Sequence, residues 1–438
     1  MTLPQGWAET TLGELVEVNP KHAADIDRTV SVSFVPMPVV DEVTGRITDP
    51  IDRPLDEVWK DYTHFSDGDV IFAKITPCME NGKSAIASGL TNGLACGSTE
   101  FFVFRSQGAI EPAYLWRFLR QTKFREEAAK VMTGAVGQRR VPRAWLENYN
   151  LGVAPRAEQR RIVAKLDALT ARLARAKLEL SRAQKLVAKE RLAILGAAFQ
   201  QFRSSPRARL DELCRVGTGS TPRRSESRYY SGGSVPWVTS GAVNDGVVSQ
   251  ASEHITDAAL KETNCKVFPS GSILIALYGE GKTRGMVATL AIAAATNQAL
   301  AVLHAFDRDR VEPDWIELFL LGRYEETRRA AAGGVQPNLN LGIVKAIELP
   351  VPPVSAQQAT VAYIKSAFAR ADRVEAEARK ALALIDRLET AILARAFRGE
   401  LVPQDPNDEP ASVLLERIRA RRAAEPKPKR GRRPKLAS

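Results

Sequence analysis

The chain has 438 residues, 44% apolar and 26% charged, with a formal net charge of +11. That is too long for one ordinary core and apolar enough for two or three domains. It contains no apolar run long enough to cross a bilayer and no basic start leading into an apolar stretch, so the expected location is the cytoplasm. Cys78, Cys96, Cys214 and Cys265 are far apart and form no C-x-x-C, which argues against a disulfide framework or a zinc site and for a reducing compartment.

The charge is uneven. Residues 417–438 hold ten Lys and Arg against one acid, Glu425, and 156–203 hold twelve against four. The rest is slightly acidic. A basic helix and a basic tail are a better pointer to nucleic acid than the total is.

In chain order, the first portion reads as strand-rich. "DVIFAK" from Asp69 and "TEFFVFR" from Thr99 are short apolar runs bounded by turn residues. A helix is expected at Pro112, since proline is tolerated in the first turn. A glycine-rich loop, "TGAVGQRRV", and a short strand, "YNLGVAP", follow. Then Ile162, Leu166, Leu169, Leu173, Ala176, Leu180, Ala183, Val187, Glu190 and Ile194 step 4-3-4-3, a heptad seam on a long helix.

The order then recurs. "SILIALY" and "ALAVLHA" read as strands, Pro313 opens a helix, "GGVQPNLNLG" is a second glycine-rich loop and "IELPVPP" a second short strand. A second seam runs Ile364, Phe368, Ala371, Glu375, Ala378, Leu382, Ile385, Glu389, Ile392. An offset of 198 residues matches Leu12 with Leu210, Leu15 with Leu213, Gln138 with Gln336, Gln159 with Gln357, and Phe199 with Phe397. Each helix, about 60 Å long at 1.5 Å per residue, has an apolar edge to cover. The other helix, present in the same chain at high effective concentration, is the expected partner.

The order of these segments, repeated, resembles the DNA-specificity subunit of Type I restriction-modification systems. "LPQGWAETTLGEL", "GDVIFAK", "GSTEFFVFR", "GSILIALYGEGKTRG", "TNQALAVL" and "GGVQPNLNLGIVKAIELPVPPVSAQQ" carry the likeness. The resemblance implies an α+β fold: two similar globular α/β target-recognition domains separated by two long antiparallel coiled-coil helices, with an internal pseudo-twofold repeat. The expected division is 1–152 and 205–350 for the domains, 153–204 and 351–402 for the spacer helices, and 403–438 for a basic, disordered tail. It also implies a non-catalytic subunit that binds double-stranded DNA and joins two DNA-methyltransferase subunits and restriction/translocase subunits. S-adenosylmethionine, ATP and Mg would then sit on those partners and no cofactor on this chain. Divergence of the two recognition portions predicts a bipartite target with unlike half-sites, its gap set by the coil.

"ALYGEGKT" at 276–283 approaches a P-loop but has Ala276 at the first glycine position, and a strand, not a helix, is expected after it. An NTPase is one alternative reading of the chain; a coiled-coil scaffold without DNA readout is the other. As a strand-turn-strand edge the segment offers Tyr278, Lys282, Thr283 and Arg284 to phosphates or base edges, or simply forms a solvated hairpin. The matching first-half set is Lys74, Thr76, Asn81, Lys83 and Ser84. The later loops add Gln138, Arg139 and Arg140, then Gln336, Asn338 and Asn340; capping is the plainer role for Asn338 and Asn340. Asn297 and Gln298 read as structural. Tyr229, Tyr230 and Trp237 read as core before DNA face. The basic coil surface serves phosphates, a partner subunit or solvent. No methyl-transfer, G-x-G-x-x-G or H-E-x-x-H motif occurs, and His22, His64, His254 and His304 are dispersed, so no catalytic residue or metal ligand is assigned.

Overall fold

A computed structural model describes residues 3–279, 283–326 and 339–424. It divides into two compact units, Met1–Glu179 with Ala381–Ser438, and Leu180–Lys380.

In the first unit an antiparallel sheet runs in the order Val16–Val18, Phe101–Ser106, Val70–Ala73, Ser84–Ile86. Val70 to Ala73 are all buried, because both faces of this strand are covered. A second sheet runs Ile51–Pro54, Ser31–Val35, Leu94–Gly97, Thr63–Ser66, with its central pair parallel. A two-stranded ribbon, Ala8–Thr11 with Asn150–Val153, closes the unit. The helix Pro112–Leu119 has proline in its first turn and buries Tyr114, Leu115, Phe118 and Leu119.

The second unit repeats this plan. Its first sheet runs Arg215–Thr218, Leu300–His304, Ser272–Ala276, Val287–Leu290, with Val247–Val248 added at the edge. The other runs Glu253–Ile255, Val235–Val238, Ala294–Thr296, Val267–Phe268, again with a parallel central pair. Arg207–Arg209 pairs with Glu348–Pro350 as the ribbon.

The repeat extends to single hydrogen bonds. Leu12 N donates to Tyr149 O at 3.0 Å, and Leu210 N to Ile347 O at 3.0 Å. Gln159 is fully buried; its Oε1 accepts from Glu111 N at 2.8 Å and its Nε2 donates to Ala109 O and Ala154 O at 2.9 Å. Gln357 does the same with Glu312 N at 3.0 Å and with Arg310 O and Pro352 O at 2.8 Å. In each unit this amide ties a loop and a strand end to the start of a long helix. Buried backbone groups must find partners, and one side chain supplies three.

The long helices are Arg156–Gln200 and Val354–Ala396. They lie antiparallel within each unit. In the first, Lys177 Nζ meets Asp386 Oδ1 and Glu389 Oε2, both at 2.8 Å. In the second, Arg191 meets Asp372 and, at 3.1 Å, Glu375 Oε2. All seam positions are buried or half-buried except Glu190. The acidic seam residues Glu375 and Glu389 are thus sheltered opposite cations of the first helix.

One expectation is corrected. The segment assigned to a disordered tail, 403–438, contains the helix Ala411–Ala424, whose Ala411, Leu415 and Ile418 are buried in the first unit's core. Arg419 pairs with Glu14 at 2.8 Å, Arg421 Nη2 donates to Gln107 Oε1 at 3.0 Å, and Arg422 Nη1 donates to Gly13 O at 3.0 Å. Before it, Gln404 Nε2 and Trp7 Nε1 both donate to the buried Glu158 carboxylate, at 3.2 and 3.1 Å, and burial raises that carboxyl's pKa. High charge hid a narrow apolar stripe spaced i, i+4, i+7. Residues 425–438, including "RGRRP", lie outside the described residues.

Candidate nucleic-acid interface

In the first unit the candidate residues gather at the end of the first sheet where Ala73 pairs with Phe101. Lys74 leaves the strand there. Its N donates to Glu100 O at 2.9 Å and its O accepts from Val141 N at 2.9 Å. Burial draws the Lys74 ammonium below its ordinary range, against the opposing pull of Glu100. Its Nζ lies 5.4 Å from the centre of the Phe102 ring.

Arg140 is gripped by Glu100, with Nε at 3.0 Å and Nη2 at 2.8 Å from its oxygens. Thr76 N donates to Arg139 O at 3.0 Å, and Thr76 Oγ1 donates to Glu80 at 3.0 Å. Gln138 and Arg139 are exposed, as is Asn81, whose amide lies 3.5 Å from Glu42. Lys83 is half-buried and donates to Met37 O at 3.3 Å.

Ser84 requires a correction. It opens a strand, is fully buried, and donates its hydroxyl to Gly82 O at 3.1 Å, so it is not presented to a ligand. "NGK" marks the turn as expected, and the strand that Ser84 opens is covered on both faces there, with Ala85 as buried as the serine.

In the second unit the corresponding sheet end carries other side chains. Leu277 N donates to Ala299 O at 2.8 Å, and Leu339 N to Leu277 O at 3.3 Å. These bonds copy those of Lys74, Glu100 and Val141. The same backbone frame therefore carries the half-buried Lys74 and Glu100 in one unit, and the half-buried Ala299 with Leu277, buried in the core, in the other.

Around it, Tyr278 is 41% exposed. Thr283 Oγ1 lies within hydrogen-bond reach of Asn244, 3.3 Å from Nδ2 and 3.4 Å from Oδ1. Thr221 Oγ1 donates to Gln298 Oε1 at 2.5 Å, and Gln298 is exposed. Arg284 is half-buried. Asn340 caps the helix Leu341–Lys345, accepting from Ile343 N at 2.9 Å. Lys282, Gln336 and Asn338 lie outside the described residues. Trp237 and Tyr229 are buried in the core, the role expected of aromatics near strands.

Sequence reasoning missed Glu100, Asn244 and Thr221. Glu100 had a faint signal, since it directly precedes the strand Phe101–Ser106; Asn244 and Thr221 had none, because they come close to Thr283 and Gln298 only in the fold.

Between Ala276 and Val287 the chain turns back on itself: Ala276 N donates to Met286 O at 3.0 Å and Gly285 N to Ala276 O at 2.8 Å. The strand after it is antiparallel to the first. A phosphate-cradling loop would instead open a helix, whose N-terminus receives the anion.

Among the described residues, His22, His64 and Cys96 form a cluster whose ligand-type atoms lie within 4.8 Å of one another. His22 Nε2 faces Ala95 O at 2.9 Å, His64 Nε2 faces Trp59 O at 2.9 Å, and His64 Nδ1 accepts from His22 N at 3.3 Å. Burial lowers both imidazoles, His64 to about 4, and raises Cys96 to about 12. With three of four ring nitrogens engaged by backbone, the cluster is a hydrogen-bonded part of the core. No described helix is long and apolar enough to cross a membrane.

Residues 207–382 match the family described as the Type I restriction modification DNA specificity domain. The chain is 40% identical over 162 residues to the EcoEI specificity subunit of Escherichia coli, a match spanning 37% of this chain and 27% of that one. The EcoAI specificity subunit of Escherichia coli is 41% identical, again with 27% of its length matched. These matches thus span little more than a quarter of either relative. The EcoKI specificity subunit of Escherichia coli strain K12 is 26% identical over 76% of this chain and 75% of its own.

Among solved structures, a chain from a study of complex assembly and conformational transition in a type I R-M system shares the fold with a TM-score of 0.76. It is 23% identical and aligns over 92% of this chain and 100% of its own. The HsdS subunit of Thermoanaerobacter tengcongensis aligns at 0.64, with 24% identity over 92% and 99%.

Proposed function

We propose that this chain is a specificity subunit of a Type I restriction-modification system and reads DNA for partner enzymes; its match to the specificity-domain family at 207–382 and its similarity to the EcoKI specificity subunit over 76% of its length support this reading. Each recognition domain reads one half of a bipartite, asymmetric target in double-stranded DNA. The chain is non-catalytic; two methyltransferase subunits, and restriction/translocase subunits in the full complex, dock on it and carry S-adenosylmethionine, ATP and Mg. It works in the cytoplasm, where its substrate lies.

The observation that supports unlike half-sites is the shared frame with different side chains: Lys74 and Glu100 against Leu277 and Ala299. Lysine and arginine suit guanine acceptors and glutamate suits the cytosine amine, whereas amides and threonine suit adenine and the thymine methyl. Two frames with unlike contents suit unlike bases. The exposed Gln138, Arg139 and Asn81 in one domain, and Tyr278, Thr283, Asn244 and Gln298 in the other, are the side chains proposed to approach DNA.

The test is to map methylated positions in host DNA with and without this chain. A split, asymmetric motif that vanishes with the chain is the expected result. A complex that binds random duplexes without sequence preference would leave only a protein scaffold.

A further inference from the structure

The loop between Thr133 and Arg140 is built to hold one apolar side chain outward. Thr133 and Arg140 bond each other in both directions, at 3.0 and 2.8 Å, and Gln138 N closes a turn on Ala135 O at 2.9 Å. Gly137 occupies the turn at φ 80°. Gly134 has φ 122°, and a Cβ there would lie 2.9 Å from Gln138 O, so only glycine fits without a shift.

The base of the loop is fastened to the sheet end by Thr76 N on Arg139 O and by the Arg140–Glu100 pair. At the tip stands Val136, 100% exposed, the most exposed of the large apolar side chains among the described residues. A lone surface valine is ordinary. A β-branched side chain, stiff about χ1, at the tip of a doubly tied hairpin beside the exposed Gln138 and Arg139 is a preorganised contact.

We propose that Val136 is a specificity-determining residue that packs on the C5-methyl of a thymine in the half-site read by the first domain. This rests on the DNA-reading function above. In the major groove the bases offer donors and acceptors throughout, and the thymine methyl is the apolar feature that an aliphatic tip can recognise. Gln138 and Arg139, displayed beside it, supply polar contacts to neighbouring bases or phosphates.

The experiment uses the full chain in its methyltransferase complex and a duplex carrying its mapped target. The first domain's half-site is identified as the one unchanged when residues 207–350 are exchanged. Thymines there are replaced one at a time by deoxyuridine, which lacks the methyl, and binding is measured for wild type and Val136→Ala.

Wild type should lose about fourfold in affinity at one position, the factor that burying one methyl group supplies. Val136→Ala should lose a similar factor on thymine DNA and be indifferent to the uracil at that position. The proposal is overturned if the half-site holds no thymine on either strand, if wild type ignores every uracil, or if Val136→Ala discriminates as wild type does. Absence of any sequence preference in the wild-type complex would instead refute the DNA-reading function itself.

Discussion

Replacing Gln159 by methionine tests the repeat at the level of energy. The side chains are similar in length and volume, so the change removes hydrogen bonding and leaves little cavity. It orphans three backbone groups, Glu111 N, Ala109 O and Ala154 O, all within 2.9 Å of the amide. An unsatisfied buried group costs about 1–3 kcal/mol. Glu111 N is part-buried and regains some water, so the total should be about 3 kcal/mol, and about 6–12 °C in the melting of a unit this size. Gln357→Met removes the same three bonds from the second unit, so its cost should agree within about 1 kcal/mol. Hydrogen exchange read separately for residues 3–179 and 181–326 assigns each loss to its unit. A cost below about 1 kcal/mol for either variant, or destabilisation of the wrong unit, would show that the paired amides do not carry the strand-to-helix junctions.

Acidification should weaken the first unit through His64. Its imidazole is lowered by burial to about 4 from an ordinary 6.5, so the unfolded chain binds the proton first. The contribution is complete above pH 6.5 and is lost as pH falls toward 4, up to about 3 kcal/mol; urea titrations should show a shallower slope over this range in His64→Phe than in wild type, the remainder coming in part from His22, which burial also lowers. Leu415→Ala, at a position 3% exposed, should cost about 2 kcal/mol and speed exchange at 12–18 and 104–110 while leaving 207–320 unchanged. Glu100→Ala releases Arg140 and the hairpin base, and should change base preference in one half-site alone, read by methylation mapping. Adding one heptad to each long helix should alter the gap between half-sites and not the half-sites themselves.

Which side chains can meet DNA was only partly legible. Gln138, Arg139 and Tyr278 are displayed as their glycine-rich or hairpin settings suggest. Ser84 has the right chemistry and neighbours, yet its strand is covered on both faces at that point and the serine is buried. Arg140 has the right charge, but Glu100, forty residues away, holds its Nε and Nη2. Asn340 takes the capping role its position beside "LGIVK" allows.

Two equivalent halves, the places of their strands and long helices, and the apolar edge of each helix can all be read along the chain. These follow from periods of two and 3.5 residues and from one repeated offset, all properties of nearby residues or of self-comparison. Tertiary structure alone decided that Gln159 and Gln357 complete the junctions, that Ala411–Ala424 docks on the first unit, and that Lys74 and Glu100 occupy the corner filled by Leu277 and Ala299 in the second. Each of these depends on which distant groups are brought within hydrogen-bond or van der Waals range, and no local pattern encodes a partner whose place along the chain is set by the fold.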